Sequence, residues 1–153
     1  MKKFLAIVLM IAMVLTLSAC GGKKESAKSA NLGEVIAKFS FDGEMMSLDA
    51  ASMLDLYGIK AEDMKQFAAT VNTSGIDCDE VILVEAVNAD AAARVKTALD
   101  NRYQAKLNET ENYLPDEYAI IKTCSVTANG NYVAMIVAPN AADMVKVYNE
   151  SFK

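Results

Sequence analysis

The stretch DEVILVEA, residues 79–86, decides the fold. Its centre, Val81 to Val84, is an unbroken apolar run, which is typical of a buried strand. Asn88 follows as a helix N-cap, and Asp90 suits the positive end of a helix dipole. Apolar side chains then recur every four positions, at Val95, Leu99, Tyr103 and Leu107. This spacing predicts a long helix over roughly 89–108, with one face packed on the strand.

Towards the C-terminus the pattern changes to strands. The apolar and β-branched residues from Tyr118 to Val126 predict a strand. Asn129-Gly130 predicts a hairpin, because both residue types tolerate the positive φ of a two-residue turn. A second strand is expected from Tyr132 to Val137, and Asn140 is expected to cap a closing helix.

Towards the N-terminus the same reasoning predicts one more strand and two helices. Alternating side chains predict a strand near 65–73. Helix-forming residues predict a helix over 48–57, which Gly58 ends in the left-handed conformation. Asn31 is expected to cap a short helix around 32–39.

These elements predict a single α+β domain over residues 32–153. The order is an N-terminal helical part followed by strand–strand–helix twice. We therefore expect a four-stranded, mostly antiparallel sheet with helices on one face.

The first 31 residues predict an export signal and a tether. Lys2 and Lys3 precede an apolar run of fourteen residues, which is too short to span a bilayer and fits a signal peptide over 1–19. Leu17-Ser18-Ala19-Cys20 resembles the bacterial lipobox, which implies cleavage before Cys20 and a diacylglycerol on its sulfur. Residues 20–31 are then the lipidated cysteine and a flexible tether. The expected location is the outer face of the cell membrane.

Four segments carry a resemblance to one family. They are LYGI (56–59), DEVILVEA (79–86), YLPDEYA (113–119) and GNYVAMIV (130–137), followed by the closing helix. Together they resemble the uncharacterised bacterial lipoprotein family catalogued as domain of unknown function 4358. The resemblance implies a lipid-anchored surface protein of a Gram-positive bacterium. The family has no known activity, so it supplies no functional residues.

Composition excludes several chemistries. The chain has no histidine, which excludes Ser-His-Asp and Cys-His catalysis. Its net charge of −5 argues against nucleic acid as a partner. The acids Asp77, Asp79 and Glu80 lack the spacing of a calcium loop, so a solvated turn is expected there, and no metal or cofactor is expected elsewhere.

Two groups of residues are candidates for a site. Tyr113, Asp116, Glu117 and Tyr118 place aromatic and acidic side chains on a predicted loop, which favours a ligand or partner surface; simple packing of the tyrosines on the long helix is the alternative. Cys78 and Cys124 remain after lipidation of Cys20, and an exported domain permits a disulfide between them. Two separate buried thiols are the alternative.

Three functions are consistent with the sequence. The first is a lipid-anchored, non-enzymatic domain that binds an unknown protein or envelope ligand. The second is an envelope hydrolase or transferase that uses carboxylates such as Asp116 and Glu117, which requires a carboxyl with a raised pKa inside a cleft. The third is a solute receptor for a transporter, for which the chain is small.

Overall fold

A computed structural model describes residues 29–153. The predicted signal peptide, Cys20 and most of the tether therefore lie outside the described residues. In chain order the elements are α1 (Leu32–Ile36), β1 (Met45–Ser47), α2 (Ala50–Tyr57), a 3-10 turn (Ala61–Asp63), β2 (Met64–Asn72), β3 (Glu80–Ala86), α3 (Ala89–Thr110), α4 (Pro115–Ile121), β4 (Ser125–Asn129), β5 (Tyr132–Val137) and α5 (Ala141–Glu150).

The strands form one sheet in the order β1-β2-β3-β5-β4, and each neighbouring pair is antiparallel. The predicted α+β class and antiparallel sheet are confirmed. The prediction of four strands was wrong by one, because the described sheet has five. The additional strand, β1, has only three residues, too few for a visible alternation.

Both faces of the sheet carry helices, so the prediction of helices on one face was wrong. Side chains alternate along β3, which places Glu80 and Glu85 on opposite faces. On one face, Arg102 of α3 donates to Glu80 at 2.9 Å. On the other face, Tyr132 is paired with Glu85, and its ring lies 4.7 Å from that of Phe152, just after α5. The central strands β3 and β5 are consequently buried along their whole length.

The helix termini largely follow the predicted caps. Asn31 accepts from the amides of Gly33 and Glu34, and Asn88 accepts from that of Ala91. Gly58 ends α2 with a φ of 67°, as a left-handed terminus requires. Asn140 differs, because its side chain donates to the Ser40 carbonyl at 3.0 Å instead of capping α5.

The strand predicted over 118–126 was wrong. Its first part is the helix α4, and β4 begins only at Ser125. Pro115 occupies the start of α4, where its missing amide costs nothing, and the first turn carries Asp116 and Glu117 next to the positive end of the helix. These start signals outweigh the strand preference of the isoleucines, and Ile121 is buried in the core.

Candidate functional site

A cleft opens where β2 ends and β3 begins, with a volume of about 510 Å³. One wall consists of residues of α2 and α3 together with Leu114, and the other consists of the loop from β2 to β3. We call it the Glu80 cleft. Its lining residues are Leu56, Tyr57, Val71, Asn72, Gly75, Ile76, Asp77, Cys78, Asp79, Glu80, Arg102, Lys106, Glu109, Thr110 and Leu114.

The floor of the cleft is a buried ion cluster around Glu80, whose side chain is 2% exposed. Arg102 donates to both oxygens of Glu80, through Nε and one terminal nitrogen, each at 2.9 Å. Lys106, one turn further along α3, donates to Oε2 at 2.9 Å. Removing such charges from water is costly, so the cluster depends on these charge-assisted hydrogen bonds.

The cluster shifts the titration of its members. Burial opposes the charged form of Glu80, but the hydrogen bonds from Arg102 and the charge of Lys106 outweigh burial and lower its pKa below the ordinary value. Burial, together with the negative charge of Glu80, raises the pKa of Tyr57 on the α2 wall. The floor is therefore charged and Tyr57 is neutral at physiological pH.

The loop wall is acidic and partly buried. Asp79 is only 8% exposed, and burial together with the charges of Asp77 and Glu117 raises its pKa. The expectation of a solvated turn was therefore wrong for Asp79 and Glu80, although Asp77 is exposed. The neighbouring carboxyls Asp79 and Glu80 have pKa values shifted in opposite directions.

The four residues of the predicted aromatic and acidic surface lie in different environments in and just before α4. Glu117 turns towards the loop wall and accepts from the Cys78 amide at 2.7 Å. Tyr118 is half-buried beneath Lys122, whose ammonium lies 5.1 Å from the ring centre. Asp116 is exposed, and Tyr113 is 84% exposed and thus not packed on α3. Among these four residues, the side-chain hydrogen bond to the cleft lining in the described part of the chain comes from Glu117, whereas Tyr113 and Tyr118 reach lining residues through backbone hydrogen bonds to Thr110 and Leu114.

Cys78 and Cys124 are both buried and both free thiols in the structure. Burial and the Glu117 carboxylate raise the pKa of the Cys78 thiol, which makes it a poor nucleophile. The Cys124 thiol lies 3.4 Å from the Ile120 carbonyl. This arrangement corresponds to the alternative of two separate buried thiols.

Sequence reasoning missed the cations of the cleft. Arg102 and Lys106 immediately precede the predicted core positions Tyr103 and Leu107, at a spacing of four residues. Charged side chains at the border of an apolar helix stripe reach the edge of the core. This spacing was a usable signal, but Glu80 as the common partner was not visible without the sheet.

Over residues 29–153 the structure contains no cluster of three or more Cys, Asp or Glu side chains suited to a metal ion. In the same range, no helix has the length and apolar character that crossing a membrane requires.

Comparison with known proteins identifies a family and nothing more specific. No curated protein matches the chain, and no solved structure matches it. The family described as domain of unknown function (DUF4358) matches residues 37–138, from the end of α1 to the residue after β5. The match includes all five strands and every residue of the Glu80 cleft. The chain therefore belongs to the DUF4358 family.

Proposed function

We propose that this protein is a lipid-anchored, extracytoplasmic binding domain without catalytic activity, and that its ligand occupies the Glu80 cleft. The observation that carries the proposal is the cleft itself. Its volume of about 510 Å³ lies within the range of small-molecule sites. The cleft combines buried charges on its floor with exposed apolar side chains at its rim, Leu56 and Ile76, so it can contact both polar and apolar parts of a ligand.

The attachment of the N-terminal segment supports the proposed location of the ligand. Gln66 accepts from the Leu32 amide at 3.0 Å and donates to the Ala30 carbonyl at 2.8 Å. Gln66 is paired with Glu85, five residues from Glu80 along β3, which corresponds to about 17 Å. The chain thus enters the domain at one end of β3, and the cleft opens at the other. An anchor on Cys20 would leave the cleft directed away from the bilayer.

A ligand screen with two matched variants tests the assignment. The purified protein is mixed with envelope polymers, peptides and small molecules, and amide chemical shifts are recorded. We expect a ligand to shift amides of residues 56–57 and 75–80, which line the cleft. Leu56→Glu should weaken binding, whereas Leu54→Glu, an exposed residue of the same helix outside the cleft, should not. Ligands that shift only amides remote from the cleft contradict the proposal.

The orientation is tested separately with the lipidated protein in vesicles that contain a quencher lipid. A fluorophore on Val87→Cys, at the end of β3 where the chain enters, should be quenched more strongly than one on Ile76→Cys at the cleft rim. Both residues are exposed, so labelling should preserve the fold. Equal quenching would contradict a cleft directed away from the membrane.

A hydrolase or transferase is the second candidate, and one observation favours it. Asp79 is a carboxyl with a raised pKa inside a cleft, next to the ionised Glu80. Two carboxyls with opposite shifts are suited to general acid and base roles. Turnover of any compound of the screen, lost in Asp79→Asn, would establish this function and contradict the first proposal. The residues concerned would be Asp79 and Glu80 in place of Asp116 and Glu117.

A further inference from the structure

Apart from Glu80 on β3 and Glu109 on α3, the charges that line the Glu80 cleft are separated by structural element. Both cations, Arg102 and Lys106, come from α3, whereas Asp77 and Asp79 come from the loop between β2 and β3. Two cations share the single charge of Glu80 on the floor. The second acid near Arg102 is Glu109, at 3.5 Å with a side chain 64% exposed, where water screens the interaction.

Lys106 retains hydrogen-bonding capacity towards the cleft. An ammonium has three donors, and in the described part of the chain Lys106 Nζ donates to one acceptor, Glu80 Oε2. The residue is only 8% exposed, and its exposed part lines the cleft. A buried ammonium with unused donors in a cavity is suited to the oxygens of a small anion, above all a carboxylate.

The loop wall offers the complementary charge. Asp77 and Asp79 follow one another with a single residue between them, and the Asp79 carboxyl is destabilised in its charged form by burial and by Asp77. A cation placed between these carboxyls would relieve that repulsion. Between the two charged walls, the rim residues Leu56 and Ile76 present apolar surface.

We infer that the ligand of the Glu80 cleft is a small zwitterion, a free amino acid or a dipeptide, whose carboxylate binds Lys106 and Arg102 and whose ammonium binds Asp77 and Asp79. The inference rests on the proposed binding function. It adds the chemical class of the ligand and the role of each wall. The apolar rim favours an aliphatic side chain on the ligand.

Four probes test the two charges independently by titration calorimetry on the full-length protein. The probes are leucine, Ala-Leu, N-acetyl-Ala-Leu and Ala-Leu amide. We expect leucine or Ala-Leu to bind, and each blocked dipeptide to bind about tenfold to a hundredfold more weakly than Ala-Leu, because each has lost one charge-assisted contact. A stronger response to leucine than to Ala-Leu would identify the free amino acid as the ligand.

Variants assign each charge to its wall. In Lys106→Gln the difference between Ala-Leu and its amide should become smaller, because only Arg102 still faces the carboxylate, while the difference between Ala-Leu and its acetylated form remains. In Asp77→Asn, at an exposed position, the difference between Ala-Leu and its acetylated form should become smaller, while the difference between Ala-Leu and its amide remains. Lys146→Gln, on the exposed face of α5, is the matched control and should bind all four probes as the unmodified protein does.

The outcomes separate this inference from the function on which it rests. Equal binding of all three dipeptide forms overturns the inference, as does binding of none of the four probes at millimolar concentration. If the broad screen then yields an uncharged ligand that shifts cleft amides, the binding function stands and only the ligand class is wrong. If no compound of that screen shifts them, both fail.

Discussion

The two ends of β3 carry buried glutamates that differ in what surrounds them. Glu80 and Glu85 lie on opposite faces of the same strand, and both are less than 9% exposed. Glu80 is held by two cations of α3 at the floor of a cleft. Glu85 accepts from Lys65 and Gln66, both at 2.6 Å, and Gln66 in turn holds the N-terminal segment.

The two ends differ in how many hydrogen-bonding groups of the partner residues have a partner within the chain. At the Glu85 end, the Gln66 amide donates to Glu85 and to the Ala30 carbonyl, and its oxygen accepts from Leu32, so this network closes on the chain itself. At the Glu80 end, Lys106 lines a cavity and donates to one acceptor among the described residues, Glu80. A buried ion cluster with every group satisfied fixes a structure, whereas one with spare donors is prepared for a ligand.

The largest effect is expected from Glu80→Gln. The substitution leaves Arg102 and Lys106 without a countercharge on the floor of the cleft, and loss of one partner of a buried ion cluster typically costs about 3–5 kcal/mol. Urea unfolding followed by circular dichroism should show a correspondingly lower free energy of unfolding. Glu150→Gln, on the exposed surface of α5, is the control and should change it little. A loss as small as that of the control would show that the cluster is not essential to the fold.

A smaller effect is expected from Glu85→Gln. Lys65 is largely exposed, so water can replace its lost partner, and the cost should be about 1–3 kcal/mol from the hydrogen bonds of the buried carboxylate. Because Gln66 positions the Leu32 amide, hydrogen exchange at Leu32 should become faster in this variant. Exchange at Leu32 in Glu80→Gln, compared at equal global stability, should be unchanged. Equal acceleration in both variants would contradict the division into two ends.

The sequence predicted the elements whose signals are local. The long helix is an example, because the buried residues Val95 and Leu99 recur with its period, and the caps Asn31, Asn88 and Gly58 each act within a few residues. The segment 118–126 failed, since the apolar character of Ile120 and Ile121 suits a buried helix face as well as a strand. Pro115 was the signal that should have decided it.

The layers and the site could be predicted only in part. The unbroken apolar runs of β3 and β5 indicate strands covered on both faces, which contradicts a one-sided sheet, but they do not reveal which helix covers which face. The Glu80 cleft joins residues from α2, the β2–β3 loop and α3, and no local spacing encodes that meeting. The predicted surface at 113–118 relied on residue type alone, which says nothing of the direction of Tyr113.

Lowering the pH should reduce the stability that the two glutamates at the ends of β3 contribute to the folded protein. The pKa of Glu80 and that of Glu85 are both lowered in the folded protein, because hydrogen bonds and cations outweigh the effect of burial. Their contribution is present above the ordinary carboxyl pKa of about 4.3 and is lost as the pH falls through the lower folded values. Each carboxylate then contributes at most about 1.4 kcal/mol per pH unit to the slope of stability. The slope between pH 5 and pH 2 should be shallower in either Gln variant, and an unchanged slope would contradict the shifts.

The smallest change in the free energy of unfolding is expected from Asp79→Asn, next to Glu80. Unlike the two glutamate substitutions, this one should stabilise the protein. The pKa of Asp79 is raised by burial and by Asp77, so ionisation costs the folded state, and the full cost is present once the pH exceeds the folded pKa. Asparagine removes that charge and should increase the free energy of unfolding at pH 7, by less than about 1 kcal/mol because water at the cleft mouth screens the charges. At pH 3, where the Asp79 carboxyl is protonated in both states, the gain should vanish. Asp55→Asn, exposed on α2, is the matched control and should show no such pH-dependent gain. If the gain in stability persists at pH 3, it must come from packing or hydrogen bonding. Charge repulsion at Asp79 would then not be supported, and neither would the argument that the loop wall is suited to a cation.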